Sequence, residues 1–210
     1  MSAYKRKGGS NLVKQATRNE QKKNKMDKSI IIEIARLKKN EGVNSEEFTN
    51  EMKVEFLNCD TIEKLQTFLD NYDIKRIDKS GNNILHYFLN NEQSLKLKWD
   101  IIIPEILSRG LFIDEKQSKG AFQRSPLHIA VFLKQKEIVE YLIKAGANIN
   151  SVDANGNSIV WTAVMEYRGD GYFIETLINH GADIRKKNNH GMSAINLAKT
   201  IANNDVRKYF

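Results

Sequence analysis

Apolar residues in the first half of the chain recur at a helical step. Phe48, Met52, Phe56 and Leu57 fall on one helical face, as do Ile62, Leu65, Phe68 and Leu69. Asn44 with Glu47 and Asp60 with Glu63 have the spacing of capping boxes. The pattern therefore predicts two helices, over 45–57 and 61–72, that pair as an N-terminal cap. Residues 29–39, containing IIIEIARLKK, form a further candidate helix whose apolar face would pack on that pair. Binding to a membrane surface is the rival for this segment, and its short length and lack of an interfacial aromatic favour packing.

From Asp78 onward the pattern itself repeats. DKSGNNILHYFL from Asp78, GAFQRSPLHIAV from Gly120, DANGNSIVWTAV from Asp153 and NNHGMSAINLAK from Asn188 align with one another. The first three are each followed by an apolar helical stretch and a glycine, at Gly110, Gly146 and Gly181. The marker residues Asn83, Ser125, Ser158 and Ser193 are 42, 33 and 35 apart. Ser125 is placed to cap a helix and Pro126 to occupy its first turn, where a missing N–H is harmless. Gly146 suits a left-handed helix end, and Gly81, Gly156 and Gly191 suit tight turns between repeats.

The run from Ser125-Pro126-Leu127-His128-Ile129-Ala130 to Ala145-Gly146-Ala147-Asn148-Ile149-Asn150 closely resembles the ankyrin repeat family. The resemblance implies an all-α fold: an ankyrin-repeat solenoid of stacked helix-turn-helix units with short hairpin turns. It divides the chain into a basic arm at 1–28 and an ankyrin-repeat domain at 29–210. Within that domain, 29–77 holds the N-terminal helices and cap, 78–187 three repeats and 188–210 a C-terminal capping repeat, with a last helix at 205–210.

Departures from the pattern mark where irregular structure is expected. The first repeat is nine residues longer than the period, with extra residues at 90–99 and 110–125, and Gln123 stands where a turn glycine is expected. The third repeat has Trp161 in the histidine position and extra residues near Arg168-Gly169-Asp170-Gly171.

Charge is uneven. Residues 1–40 hold 12 Lys or Arg against 3 Asp or Glu, whereas the whole chain has a net charge of +7, so the rest is slightly acidic. Basicity thus belongs to the arm, which has too few large apolar groups to offset its ordering entropy and is expected to be disordered. Clusters such as Lys5-Arg6-Lys7 attract polyanions without a fold, so nucleic acid is a possible partner of 1–28; a merely solvated tail is the plainer reading. No apolar run approaches the ~18 residues that cross a bilayer, and no apolar stretch after the basic start has the form of a secretory signal. Together with a single cysteine, Cys59, this leads to an expected cytoplasmic location without membrane association.

Catalytic motifs are missing: there is no G-x-S-x-G, no phosphate-binding loop and no H-E-x-x-H. In the ankyrin family the histidine at His86 and His128 is structural, tying neighbouring turns together. His180 precedes a helix-ending glycine, and His190 lies in a turn with no Cys or His at ligand spacing. No catalytic residue, cofactor or metal is therefore expected, and a binding protein is the better reading.

By register, the concave face of such a stack is built from hairpin tips and the exposed ends of the first helices. The candidate partner-binding residues are Lys79, Asn82, Phe122, Arg124, Phe132, Asn155, Asn157, Met165, Tyr167, His190 and Met192. Phe122 and Phe132 are the most telling, being large apolar side chains at positions expected to face water. The segment from Trp161 to Val206 is similar to bacterial single-chain ankyrin proteins, some of which are immunity proteins against polymorphic toxins. That resemblance implies a stoichiometric inhibitor acting on a toxin domain or enzyme. The alternative is an ankyrin adaptor whose basic arm contacts nucleic acid.

Overall fold

The computed structural model describes residues 47–202 and 204–210, within a unit spanning 46–210. The expected basic arm, the helix at 29–39 and the cap at Asn44 lie outside the described residues. Among the described residues the chain forms nine α-helices: α1 (Asn50–Leu57), α2 (Ile62–Asn71), α3 (Ile84–Asn91), α4 (Trp99–Ser108), α5 (Pro126–Phe132), α6 (Lys136–Lys144), α7 (Ile159–Met165), α8 (Tyr172–Asn179) and α9 (Ala194–Thr200). Short 3-10 turns follow α3 (Glu92–Ser94) and α9 (Asn204–Tyr209), so the last segment is a 3-10 turn, tighter than the α-helix expected at 205–210.

Hydroxyl and amide side chains start six of these helices. Thr49, Thr61, Asn83, Ser125, Ser158 and Ser193 each accept a hydrogen bond from a backbone N–H in the first turn, satisfying a donor that has no partner within the helix. Two expected starts move. The first helix begins at Asn50 instead of Ser45, because Glu47 bridges to Ile77 and the Phe48 N–H donates to the Ile77 carbonyl at 2.8 Å. Phe48 is buried by this extended entry and meets Tyr87 edge-on at 5.4 Å. The second helix is capped by Thr61, one residue after Asp60.

The helices form two rows. α3, α5, α7 and α9 pack one on the next, while α4, α6 and α8 each pack on the inner helix that precedes them. The α1–α2 pair closes one end, with α2 against α4, and the last 3-10 turn packs on α9 at the other. Phe56, Phe68, Phe88, Ile102, Leu127, Leu142, Ile159, Leu177 and Val206 belong to one apolar core that runs through these layers. Burial of each such side chain is worth about 1.5–3 kcal/mol, and each layer gains it only from its neighbours. No helix among the described residues is long and apolar enough to cross a membrane.

The hairpin turns that connect the layers stack closely. Gly81 and Gly156 have φ of 82° and 77°, and a Cβ on either would collide with the next tip, at the Lys119 backbone nitrogen or at Asn189 Oδ1. Glycine here therefore serves both the turn and the approach of the next tip.

Candidate functional site

Three of the four hairpin tips share one internal hydrogen-bond scheme. Asp78 Oδ1 accepts from the N–H groups of Ser80 and Asn82, both at 2.9 Å. Asp153 Oδ1 does the same for Asn155 and Asn157, at 2.8 and 2.9 Å, and Asn188 Oδ1 for His190 and Met192, both at 2.9 Å. Asp78 also receives Lys53 Nζ at 2.8 Å. Burial works against its ionisation, but the bonds from Lys53 and Asn82 prevail and hold the carboxyl below its ordinary value.

Rungs join one tip to the next. The N–H groups of Ser118, Ala154 and Asn189 donate to the carbonyls of Gly81, Phe122 and Asn155 at 3.0, 2.6 and 3.0 Å. Gln117 Nε2 reaches Asn82 Oδ1 at 2.7 Å, and Asn188 Nδ2 reaches Asn157 Oδ1 at 2.6 Å.

Two buried imidazoles add ties beneath the tips. His86 Nδ1 accepts from the Asn83 N–H at 3.2 Å while Nε2 donates to the Glu115 carbonyl at 2.9 Å. His128 Nδ1 lies 2.9 Å from Ser125 Oγ, and its Nε2 donates to the Asn157 carbonyl at 3.3 Å. Burial pushes both rings down to about 4, so they are neutral at pH 7, as one donating and one accepting nitrogen requires. Trp161 breaks the series: its buried Nε1 has no partner among the described residues.

The second tip, residues 117–124, is three residues longer and works differently. It closes through Gln117, whose N–H donates to the Arg124 carbonyl at 3.0 Å and whose Oε1 accepts from the Arg124 N–H at 3.1 Å. Arg124 thus occupies the backbone position that Asn157 holds in the next tip, and Gln123, at φ 47°, that of Gly156. The Arg124 side chain lies over two rings, with Cζ 4.5 Å from the Phe122 centroid and 4.2 Å from that of Phe132. Its Nε is buried without a partner among the described residues. Burial lowers its pKa, against the opposing fields of Asp153 and Glu166.

Phe122 and Phe132 remain 47% and 39% exposed despite this stacking, and Leu133 and Met165 38% and 42%. Phe132 and Met165 are the last residues of successive inner helices, α5 and α7, which pack together. Lys79 and His190 are exposed at their tips, whereas Asn82, Asn155 and Met192 are half-buried.

Two sequence-derived positions require correction. Asn157 is buried, because its Nδ2 donates to Asp153 at 3.0 Å and its Oδ1 accepts from Asn188. Tyr167 is buried, because its hydroxyl donates to Asp205 Oδ2 at 2.6 Å and its ring meets Tyr209 edge-on at 5.8 Å. Neither is placed to touch a partner. Leu133, beside Phe132 at the end of α5, shares the exposure that register gives this inner-helix end.

Burial pushes the Cys59 thiol up to about 11, far from a reactive thiolate. Among the described residues no group of three His, Cys, Asp or Glu side chains is arranged to hold a metal.

Comparison with known proteins gives matches over most of the described chain. A family model described as ankyrin repeats (3 copies) matches residues 53–153, 103–188 and 127–209. The nuclear factor NF-kappa-B p105 subunit of Gallus gallus is 32% identical over 127 residues, covering 59% of this chain and 12% of that protein. NF-kappa-B inhibitor alpha of Gallus gallus is 28% identical over 85 residues, 40% of this chain and 25% of that protein. Potassium channel AKT2/3 of Arabidopsis thaliana is 35% identical over 83 residues, 40% of this chain and 10% of that protein. The match thus spans a quarter or less of each of these relatives.

Proposed function

Because the chain belongs to the ankyrin-repeat family, whose stacks are protein–protein interaction modules, we propose that it is a stoichiometric inhibitor that binds a partner protein through its concave face. The partner is a toxin domain or an enzyme, and the chain acts as an immunity protein by covering that partner's working surface. Occlusion requires no catalysis, so the inhibitor itself is not an enzyme and works in the cytoplasm alongside its target.

The observation that carries this reading is Arg124 stacked on exposed Phe122 and Phe132, with Leu133 and Met165 exposed at the ends of the packed inner helices α5 and α7. Aromatic and arginine side chains gathered at the middle of a face are the composition of an interface hot spot. An inhibitory mode of action is supported by the name of one relative, NF-kappa-B inhibitor alpha.

Affinity capture with the full chain and with a Phe122→Ala/Phe132→Ala variant, read by mass spectrometry, tests the proposal. One protein recovered in equal amount with the chain, lost with the variant and inactivated when bound, is the expected result. Recovery of the same proteins by both forms would move binding off this face.

A second reading, an adaptor that contacts nucleic acid through residues 1–28, is favoured by the 12 cationic against 3 acidic residues within 1–40. It predicts affinity that falls with salt at a log–log slope of about −0.9 per phosphate neutralised, a dependence removed by deleting 1–28.

A further inference from the structure

We propose that the long tip at 117–124 is a subsite for a carboxylate flanked by apolar side chains, supplied by an acidic and apolar loop of the partner protein. The carboxylate is taken by the guanidinium of Arg124, and its apolar neighbours cover Phe122, Phe132 and Met165. This inference rests on the reading of the concave face as the partner-binding face and adds the chemistry of what is bound.

Charge supports the assignment first. From 116 to 136 the sequence contains Lys116, Lys119, Arg124, Lys134 and Lys136 and no Asp or Glu, although the chain beyond residue 40 is slightly acidic. Two of these cations are committed: Lys116 Nζ donates to the Val152 carbonyl and Lys136 pairs with Asp170 at 2.9 Å. Arg124 and Lys119 make no ion pair with a described residue; Asp153 and Glu166 act on Arg124 only through their fields, so no side-chain carboxylate occupies its guanidinium. A partner with the opposite charge is the complement.

Geometry narrows the ligand from an anion in general to a carboxylate in an apolar setting. The two rings hold the guanidinium in place before any partner arrives, so little side-chain entropy remains to be lost on binding. With Nε buried, the outer edge of the fork is what faces a ligand, and two parallel N–H donors there match the two oxygens of a carboxylate. Exposed apolar area lies beside it on Phe122 and Phe132, and Leu133 and the end of α7 at Met165 continue that exposure along the packed inner helices. Nucleic acid fits this surface less well, since the rings that would stack on bases already carry the guanidinium.

A random dodecapeptide library displayed on phage, panned on the full chain, is the probe. Enrichment of peptides with Asp or Glu set among large apolar residues is expected. Their affinity should fall about 10-fold to 100-fold in Arg124→Gln, as loss of a charge-assisted hydrogen bond implies, with only partial recovery in Arg124→Lys. Lys119→Glu, a change on an exposed side chain outside the ring stack, should weaken the same peptides severalfold while the melting temperature is unchanged, which separates lost binding from lost folding.

Enriched peptides without carboxylates, binding indifferent to Arg124→Gln, competition by an oligothymidylate or no enrichment at all would each overturn the proposal. If peptides of other chemistry bind and are lost on changing Lys79 or His190, the concave-face reading survives and the carboxylate subsite fails. If they bind away from this face, both fail.

Discussion

Tips 153–157 and 117–124 are neighbours in the stack, joined by the Ala154 N–H to the Phe122 carbonyl, yet they use their polar groups in opposite ways. The shorter tip turns everything inward: Asp153 takes two backbone N–H groups and the Asn157 amide, and the Asn157 carbonyl takes His128. The longer tip keeps the same closing bonds through Gln117 but turns the Arg124 side chain onto two rings at the surface. One tip is structure, and the other adds a surface to that structure. The difference arises from three extra residues, which leave the frame of the repeat intact because insertions in stacked repeats fall in turns.

Acidification probes both sides of this comparison with the largest expected effect. His86 ties α3 to the base of the long tip at Glu115, and His128 ties α5 to the short one at Asn157. Their folded pKa of about 4 lies below the ordinary 6.5, so the unfolded chain takes up protons first. Their contribution is fully present above about pH 6.5 and is lost as pH falls through about 4, amounting to about 3 kcal/mol per ring. Urea unfolding between pH 7 and pH 4 should show this decline, and His128→Gln should remove roughly half of its slope.

Polar truncation separates the tips next. Asp153→Ala leaves two N–H donors and an amide without their acceptor and should cost about 3 kcal/mol, whereas Gln117→Ala should cost about 1 kcal/mol in the same urea assay. Backbone strain gives smaller effects of opposite sign. Gly156→Ala meets both a positive φ and the neighbouring tip and should cost about 2 kcal/mol, while Gln123→Gly relieves a positive φ and should stabilise by about 0.5–1 kcal/mol in thermal unfolding. The smallest effect is that of Arg124→Ala, expected to change stability by only about 0.5 kcal/mol, because the two ring contacts that are lost are offset by release of a buried, unpartnered Nε.

Much of this architecture was legible in the sequence because its determinants are local. Ser125 with Pro126 and Gly146 with its left-handed φ act within a few residues of a recognisable pattern, whereas the histidine ties span 29 residues and were expected only through the family resemblance. Exposure of Phe122, Phe132 and Met165 followed from register alone. Tyr167 was misplaced because its burial depends on Asp205 and Tyr209, 38 residues and more along the chain, which no local spacing reveals. Asn157 was misplaced for another reason: counting from the turn glycine treats the whole tip as surface. The signal was nonetheless present, since an Asp four residues before an Asn across a glycine turn allows the two side chains to bond, as Asp78 and Asn82 also do. The stacking of Arg124 between two rings depended on the path of the inserted residues and had no sequence signature.

Grafting the sequence of 153–157 in place of 117–124 in the full chain tests most directly whether the long tip is a binding surface set on a repeat that does not need it. Urea unfolding and binding of the selected peptides are measured on the same preparation. The expected result is a graft at least as stable as the parent chain that no longer binds the peptides. A graft that unfolds at much lower urea yet still binds them would contradict the assignment, making the long tip structural and placing recognition elsewhere.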